Sequence, residues 1–124
     1  VAEKVVALVD DEEVFHWITG QFIKNSGLQA KTISFFNGQQ MIEYLNENTE
    51  QQPDIILLDI NMPVMNGWAF LDTVTSKNLQ LESTIYILTS SIDPEDRRKA
   101  ERYSVISGFI NKPVSEEILK KILK

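Results

Sequence analysis

Apolar residues in this chain fall into short unbroken runs, and between the runs they recur every three or four positions. Residues 4–9 (KVVALV) read as a buried strand. In EEVFHWITGQFIKNSG, residues 12–27, Val14, Phe15, Ile18 and Phe22 share one helical face, and Gly27 supplies the stop. Trp17 flanks that arc and is expected to pack, while His16 is expected to face solvent. Residues 29–35 (QAKTISF) form a second, half-polar strand, and 38–48 a helix that gathers Met41, Ile42 and Leu45. Residues 54–58 (DIILL) are the third strand, with Pro53 tolerable only at its start. The third helix, 67–77, buries Phe70, Leu71 and Val74, and residues 84–89 (TIYILT) give the fourth strand.

The fourth helix opens on Asp93 as N-cap with Pro94 at the first helical position. Between 93 and 104 it offers only Ala100 and Tyr103 as apolar anchors, so packing holds it loosely. A fifth strand spans 107–111 (SGFIN), and residues 115–124 form a last helix with Ser115 as cap and Ile118, Leu119, Ile122 and Leu123 facing inward. Five strands, each followed by a helix, force parallel pairing through crossovers. Strands 1, 3 and 4 are nearly all apolar, as when both sheet faces are covered, and the polar second strand belongs at an edge. The pattern predicts a doubly wound α/β sandwich whose ligands gather at the carboxyl ends of the strands.

A chain of 124 residues with 43% hydrophobic content fits a single domain over residues 1–124. No run of about 18 apolar residues is present, so neither a membrane span nor a secretory leader is expected. The chain begins at Val1, so an earlier start is expected to have been trimmed. Without cysteine, disulfides and thiolate chemistry are excluded, and a cytoplasmic location is compatible. The single histidine, His16, cannot build a zinc site. Residues 1–92 hold 12 acids and 4 bases, residues 93–124 hold 6 acids and 8 bases. That acidic majority argues against direct nucleic-acid binding, and the basic cluster RRKAER reads as a solvated helix face.

The strand-end rule brings scattered positions to one place. Asp10 and Asp11 follow the first strand, Asp59 the third, Thr89 and Ser90 end the fourth, and Lys112-Pro113 follow the fifth. Carboxylates about 5 Å apart repel by roughly 3 kcal/mol per pair at an effective dielectric of about 20, so the cluster needs a cation. A hard divalent ion with oxygen ligands, most simply Mg²⁺, fits, with Lys112 adding a second positive charge. A carboxylate so placed is a competent nucleophile toward phosphorus, and Thr89 can donate a hydrogen bond to the transferring group.

Taken together, VDD, LLDINMPVMNG, ILTSS and NKP, in that order and spacing, resemble the receiver domain of two-component response regulators over nearly the whole chain. The resemblance implies strand order 2-1-3-4-5 and Asp59 as phosphoacceptor. It implies Asp11 as direct Mg²⁺ ligand, Asp10 reaching the metal through water, Asp59 giving a side-chain oxygen and Asn61 its backbone carbonyl. Lys112 would pair with the phosphoryl group, with the Lys112-Pro113 peptide cis. Pro63 would rigidify the loop and Gly67 permit an unusual backbone angle before the third helix. Asn61 and Ser91, positions that tune phosphate lifetime in the family, are neutral here.

The resemblance also implies partners and a readout. The donor is a phosphohistidine on a sensor histidine kinase or histidine phosphotransfer protein, and Thr89 and Phe109 are the switch pair. The face made by the fourth helix, fifth strand and fifth helix, including Arg97, Arg98, Arg102 and Lys120, is expected to meet a downstream protein, a fused output domain or a second copy. Trp68, at the start of the third helix, is expected to pack and to report metal binding by fluorescence. One rival is a haloacid-dehalogenase-like aspartyl phosphatase, but that family wants an acid where Asn61 stands, and no cap domain fits. Another is a receiver-fold interaction module without the chemistry, against which all five chemical positions stand intact.

Overall fold

The computed structural model describes residues 3–47, 52–77 and 81–123. Its strands are β1 (Lys4–Val9), β2 (Ala30–Phe35), β3 (Ile55–Asp59), β4 (Thr84–Thr89) and β5 (Ile106–Asn111). The helices are α1 (Glu13–Asn25), α2 (Gly38–Glu47), α3 (Gly67–Ser76), α4 (Pro94–Ala100) and α5 (Glu116–Leu123). All neighbouring strands pair in parallel, in the order β2-β1-β3-β4-β5, so the polar β2 lies at an edge as expected. Asn48 and Lys124, placed in helices by the sequence pattern, lie outside the described residues.

Strand alternation sorts the core into two layers. Val9, Ile56, Leu58 and Ile87 face one side with Met41, Phe70 and Leu71 of α2 and α3. Val6, Leu8, Leu57 and Leu88 face the other with Ile23 of α1 and Leu119 and Leu123 of α5. The caps form as the sequence requires. The Asp93 carboxylate accepts the Glu95 N–H at 3.0 Å, the Ser115 hydroxyl accepts the Ile118 N–H at 3.1 Å, and Gly27 takes φ +77° after α1. The Lys112-Pro113 peptide is cis.

Three expectations of side-chain placement or backbone angle fail. The inward arc of α1 is Phe15, Thr19, Phe22 and Ile23, while Val14 is 65% and Trp17 67% exposed and Ile18 also points outward. A second arc, rotated by about one residue, satisfies the same helical period, and packing against α5 and β2 selects it. His16, expected in solvent, is half-buried: its Nε2 meets the Asp10 carbonyl at 2.7 Å and its ring lies 4.5 Å from that of Phe36. Gly67 has no positive φ. It is needed because a Cβ there would sit 2.6 Å from the Asp59 carbonyl oxygen and 2.9 Å from the Ile60 Cα.

Candidate functional site

β1, β3 and β4 are hydrogen-bonded neighbours, and their carboxyl ends carry polar residues straight out of the core. Asp10 follows β1, while Asp59 and Thr89 are the last residues of β3 and β4, and all three are buried. Asp11, at the rim, is exposed. Carboxylate oxygens of Asp10, Asp11 and Asp59 lie within 4.8 Å of one another. At that spacing each pair of charges repels by about 3 kcal/mol at an effective dielectric of about 20. Among the described residues this is the acidic cluster that could hold a metal ion.

The neighbours divide the work unequally. Asp10 is engaged at both oxygens, with Oδ1 accepting the Glu12 N–H at 2.9 Å and Oδ2 accepting from Lys112 Nζ at 2.6 Å. Asp59 is less satisfied: Oδ1 accepts a 3.2 Å bond from the Asn61 N–H, and Oδ2 lies 3.6 Å from Lys112 Nζ. Burial pushes the Asp59 carboxyl up to about 6, with Asp10 and Asp11 pushing the same way and the Asn61 N–H and Lys112 opposing. The surrounding carboxylates hold the Lys112 ammonium above its ordinary range despite desolvation. Glu12, at 3.3 Å, and the Phe15 ring, at 5.2 Å, complete the lysine's surroundings.

The flanking loops set the access. The β3–α3 loop leaves Asn61 and Pro63 exposed and puts Val64 at φ 68°, a left-handed conformation unusual for a β-branched residue. The Thr89 hydroxyl accepts the Ser91 N–H at 2.9 Å, and Ser90 is exposed at the mouth. Phe109, half-buried on β5, lies with its ring centre 4.7 Å from the Arg97 guanidinium. Trp68 packs as expected, stacked on Tyr103 at 5.7 Å.

Of the seven site residues read from the sequence, six fall at one end of the sheet, Asp10, Asp11, Asp59 and Lys112 close together with Thr89 and Asn61 beside them, while Phe109 lies within β5 opposite Ile87 of β4. Sequence reasoning missed Glu12 as a partner of Lys112 and His16 as a prop under Asp10. Glu12 follows the acid pair directly, which was a usable signal. His16 depends on the rotation of α1, which the apolar pattern left open.

Comparison with known proteins agrees with this geometry. The family model described as response regulator receiver domain matches residues 6–124. The chain is 29% identical over 123 residues to the sensor histidine kinase CheAY of Helicobacter pylori, covering 99% of this chain and 15% of that protein. It is 33% identical over 89 residues to the DNA-binding transcriptional regulator NtrC of Escherichia coli, covering 72% of this chain and 18% of that one. The chain therefore spans less than a fifth of either relative. Among solved structures, a two component response regulator from Cytophaga hutchinsonii superposes with a TM-score of 0.86 at 28% identity, covering 98% of this chain and 95% of that one. The chemotaxis protein CheY4 of Vibrio cholerae does so at 0.75 and 27%, covering 98% and 97%. The doubly wound fold, the acidic strand-end cluster and the family match agree, and the chain belongs to the response regulator receiver domains of two-component signalling.

Proposed function

We propose that residues 1–124 form one cytoplasmic receiver domain in which Asp59 accepts a phosphoryl group from a phosphohistidine of a sensor histidine kinase or phosphotransfer protein. One observation carries this: a buried, incompletely bonded Asp59 carboxylate stands within 4.8 Å of two more carboxylates and 3.6 Å from an ammonium. Such crowding suits a bound cation. Asp11, Asp59 and the Asn61 carbonyl are the residues to hold Mg²⁺ directly, and Asp10, engaged at both oxygens by Glu12 and Lys112, would reach it through water. Bound there, the ion would neutralise charge on the carboxylates and on the phosphoryl oxygens.

An oxygen of Asp59 attacks phosphorus as the phosphorus–nitrogen bond of the donor breaks, and the electron pair of that bond stays on the imidazole. Lys112 is placed to follow the charge that moves onto the phosphoryl oxygens, and Thr89 to donate to one of them. Asn61 and Ser91 offer no carboxylate to activate water, so one phosphorylation with slow decay is expected rather than sustained turnover. The outward Val14 and Ile18 line a groove of about 490 Å³ that runs to Lys112, Pro113 and Val114. Because this apolar surface is continuous with the mouth of the site, it is where the donor's phosphohistidine helix docks.

The test incubates the protein with Mg²⁺ and acetyl phosphate and follows intact mass. Wild type is expected to gain one phosphoryl group, and Asp59→Asn none. Labelling that persists in the variant, or in wild type with excess chelator, would refute the assignment. With a phosphorylated kinase as donor, Ile18→Ala is expected to slow transfer far more than it slows labelling by acetyl phosphate.

A further inference from the structure

α4 is held at its two ends by different means. Beyond its C-terminal end, Tyr103 stacks on Trp68 of α3 and donates to the Asp72 carboxylate at 2.7 Å, and Lys99 lies 4.9 Å from the Trp68 ring centre. Burial and the Asp72 carboxylate push the Tyr103 hydroxyl up to about 12, so this tie persists across the physiological range. Ala100 is the buried residue of the helix. Its N-terminal half has no such buried anchor among the described residues: Pro94, Glu95 and Arg97 are exposed and Asp96 is half-buried.

What holds that half is a chain of hydrogen bonds leading back to Thr89. Asn111 is the register partner of Thr89 across the β4–β5 pair. Its side-chain Nδ2 donates to the Ser91 carbonyl at 3.2 Å, and its Oδ1 accepts from Arg97 Nη2 at 3.4 Å. The same Arg97 covers the Phe109 ring. Ser91 in turn donates its N–H to the Thr89 hydroxyl at 2.9 Å and accepts the Asp93 N–H at 3.1 Å, just before the α4 cap.

We infer that the Asn111 carboxamide and Arg97 form a strap that holds the N-terminal half of α4 down over Phe109, and that movement of Thr89 releases it. The inference rests on the reading of Asp59 and Thr89 above. When the Thr89 hydroxyl turns toward a phosphoryl oxygen on Asp59, the Ser91 N–H loses its acceptor and the loop shifts. The Ser91 carbonyl then leaves Asn111, Arg97 loses its orienting partner, and Phe109 is uncovered. Because Tyr103 stays pinned to α3, the helix swings about that end rather than leaving the domain. The strap is solvent-exposed and long in its Arg97 bond, and a weak tie suits an element with two nearly balanced positions.

Coupling is reciprocal, so cutting the strap should also favour phosphorylation. Asn111→Ala, Arg97→Ala and the double variant, each in the full chain, are labelled with Mg²⁺ and acetyl phosphate. Each single variant is expected to gain phosphoryl three- to tenfold faster than wild type. The double variant should be no faster than the quicker single one, since both changes cut the same strap. A second readout needs no phosphoryl group. In unphosphorylated protein, backbone ¹⁵N relaxation dispersion should report new exchange at residues 91–98 of each variant, while 100–103 stay as in wild type. Wild-type rates with unchanged dispersion, or rate effects that multiply in the double variant, overturn the strap. If no protein, wild type included, takes up phosphoryl, the Asp59 reading is what has failed, and the dispersion pattern alone decides this inference.

Discussion

Two aspartates bracket β3, and they live in opposite worlds. Asp54, just before the strand, is exposed, and its Oδ2 accepts the Val5 N–H at 2.8 Å. Its backbone also bridges the neighbouring strands, donating to the Val5 carbonyl at 2.8 Å and accepting the Thr84 N–H at 2.9 Å. Asp59, at the other end, is buried among carboxylates, meets one backbone N–H and has the Lys112 ammonium 3.6 Å away. Asp54 has donors for neighbours and stabilises the start of the sheet. Asp59 has rival anions for neighbours, so its position costs the fold stability and is explained by what it can do rather than what it holds. The same residue type, on the same strand, separates structure from chemistry by its partners alone.

The sharpest way to break the contrast is to disturb the backbone under Asp59. Gly67→Ala would place its Cβ against the Asp59 carbonyl oxygen and the Ile60 Cα, both main-chain atoms with little room to yield. Helix propensity alone favours alanine by about 1 kcal/mol, so the sign is a real test. We expect a loss of about 3 kcal/mol in urea unfolding, because overpacking against backbone outweighs propensity. A variant as stable as wild type would mean that the loop is soft and Asp59 is not rigidly presented.

Asp59→Asn comes next, with the opposite sign. The carboxyl titrates near 6 in the folded protein and near 3.8 unfolded, so the native state holds the proton more tightly. Its contribution is therefore greatest below about pH 4 and is lost as pH rises through about 6. The variant should be more stable than wild type by about 2 kcal/mol at pH 7.5 without metal, with the difference fading between pH 6 and pH 4. That gain is smaller than the full shift because the carboxamide, buried in the same place, brings its own unmade hydrogen bonds. Saturating Mg²⁺ should narrow the gap by stabilising wild type more than the variant. Asp54→Ala supplies the counterpart: a loss of about 1 kcal/mol from the stranded Val5 N–H, with no effect on Mg²⁺ binding.

The contrast also shows what the sequence made legible. Strands 1 and 4 end where the apolar runs end, and a doubly wound sheet turns strand ends into one rim. Asp10, Asp59, Thr89 and Lys112 could therefore be placed together without knowing any side-chain contact. Asp54 looked like part of the third strand, because a polar residue before an apolar run carries no sign of the Val5 N–H it serves. The apolar pattern alone sets α1 one residue out of phase, since Phe15 and Phe22 fit both arcs and nothing local says that Thr19 rather than Ile18 goes inside. His16 went with it: its bond to the Asp10 carbonyl exists only for the rotation that packing selects. The sequence marks Gly67 as a turn residue, because close approach of two backbones has no local signature.

Val64 gives the finest probe of the Asp59 side. It is 85% exposed, yet holds φ 68° in the loop that carries Asn61 and leads to Gly67. A left-handed L-residue costs roughly 1 to 2 kcal/mol, while glycine in its place adds about 0.5 to 1 kcal/mol of chain entropy to fold. Val64→Gly should therefore gain about 0.5 kcal/mol, read as a higher urea midpoint with an unchanged slope. If instead stability falls and acetyl phosphate labelling slows together, the valine side chain is holding the loop, and the strain at this position serves the presentation of Asp59.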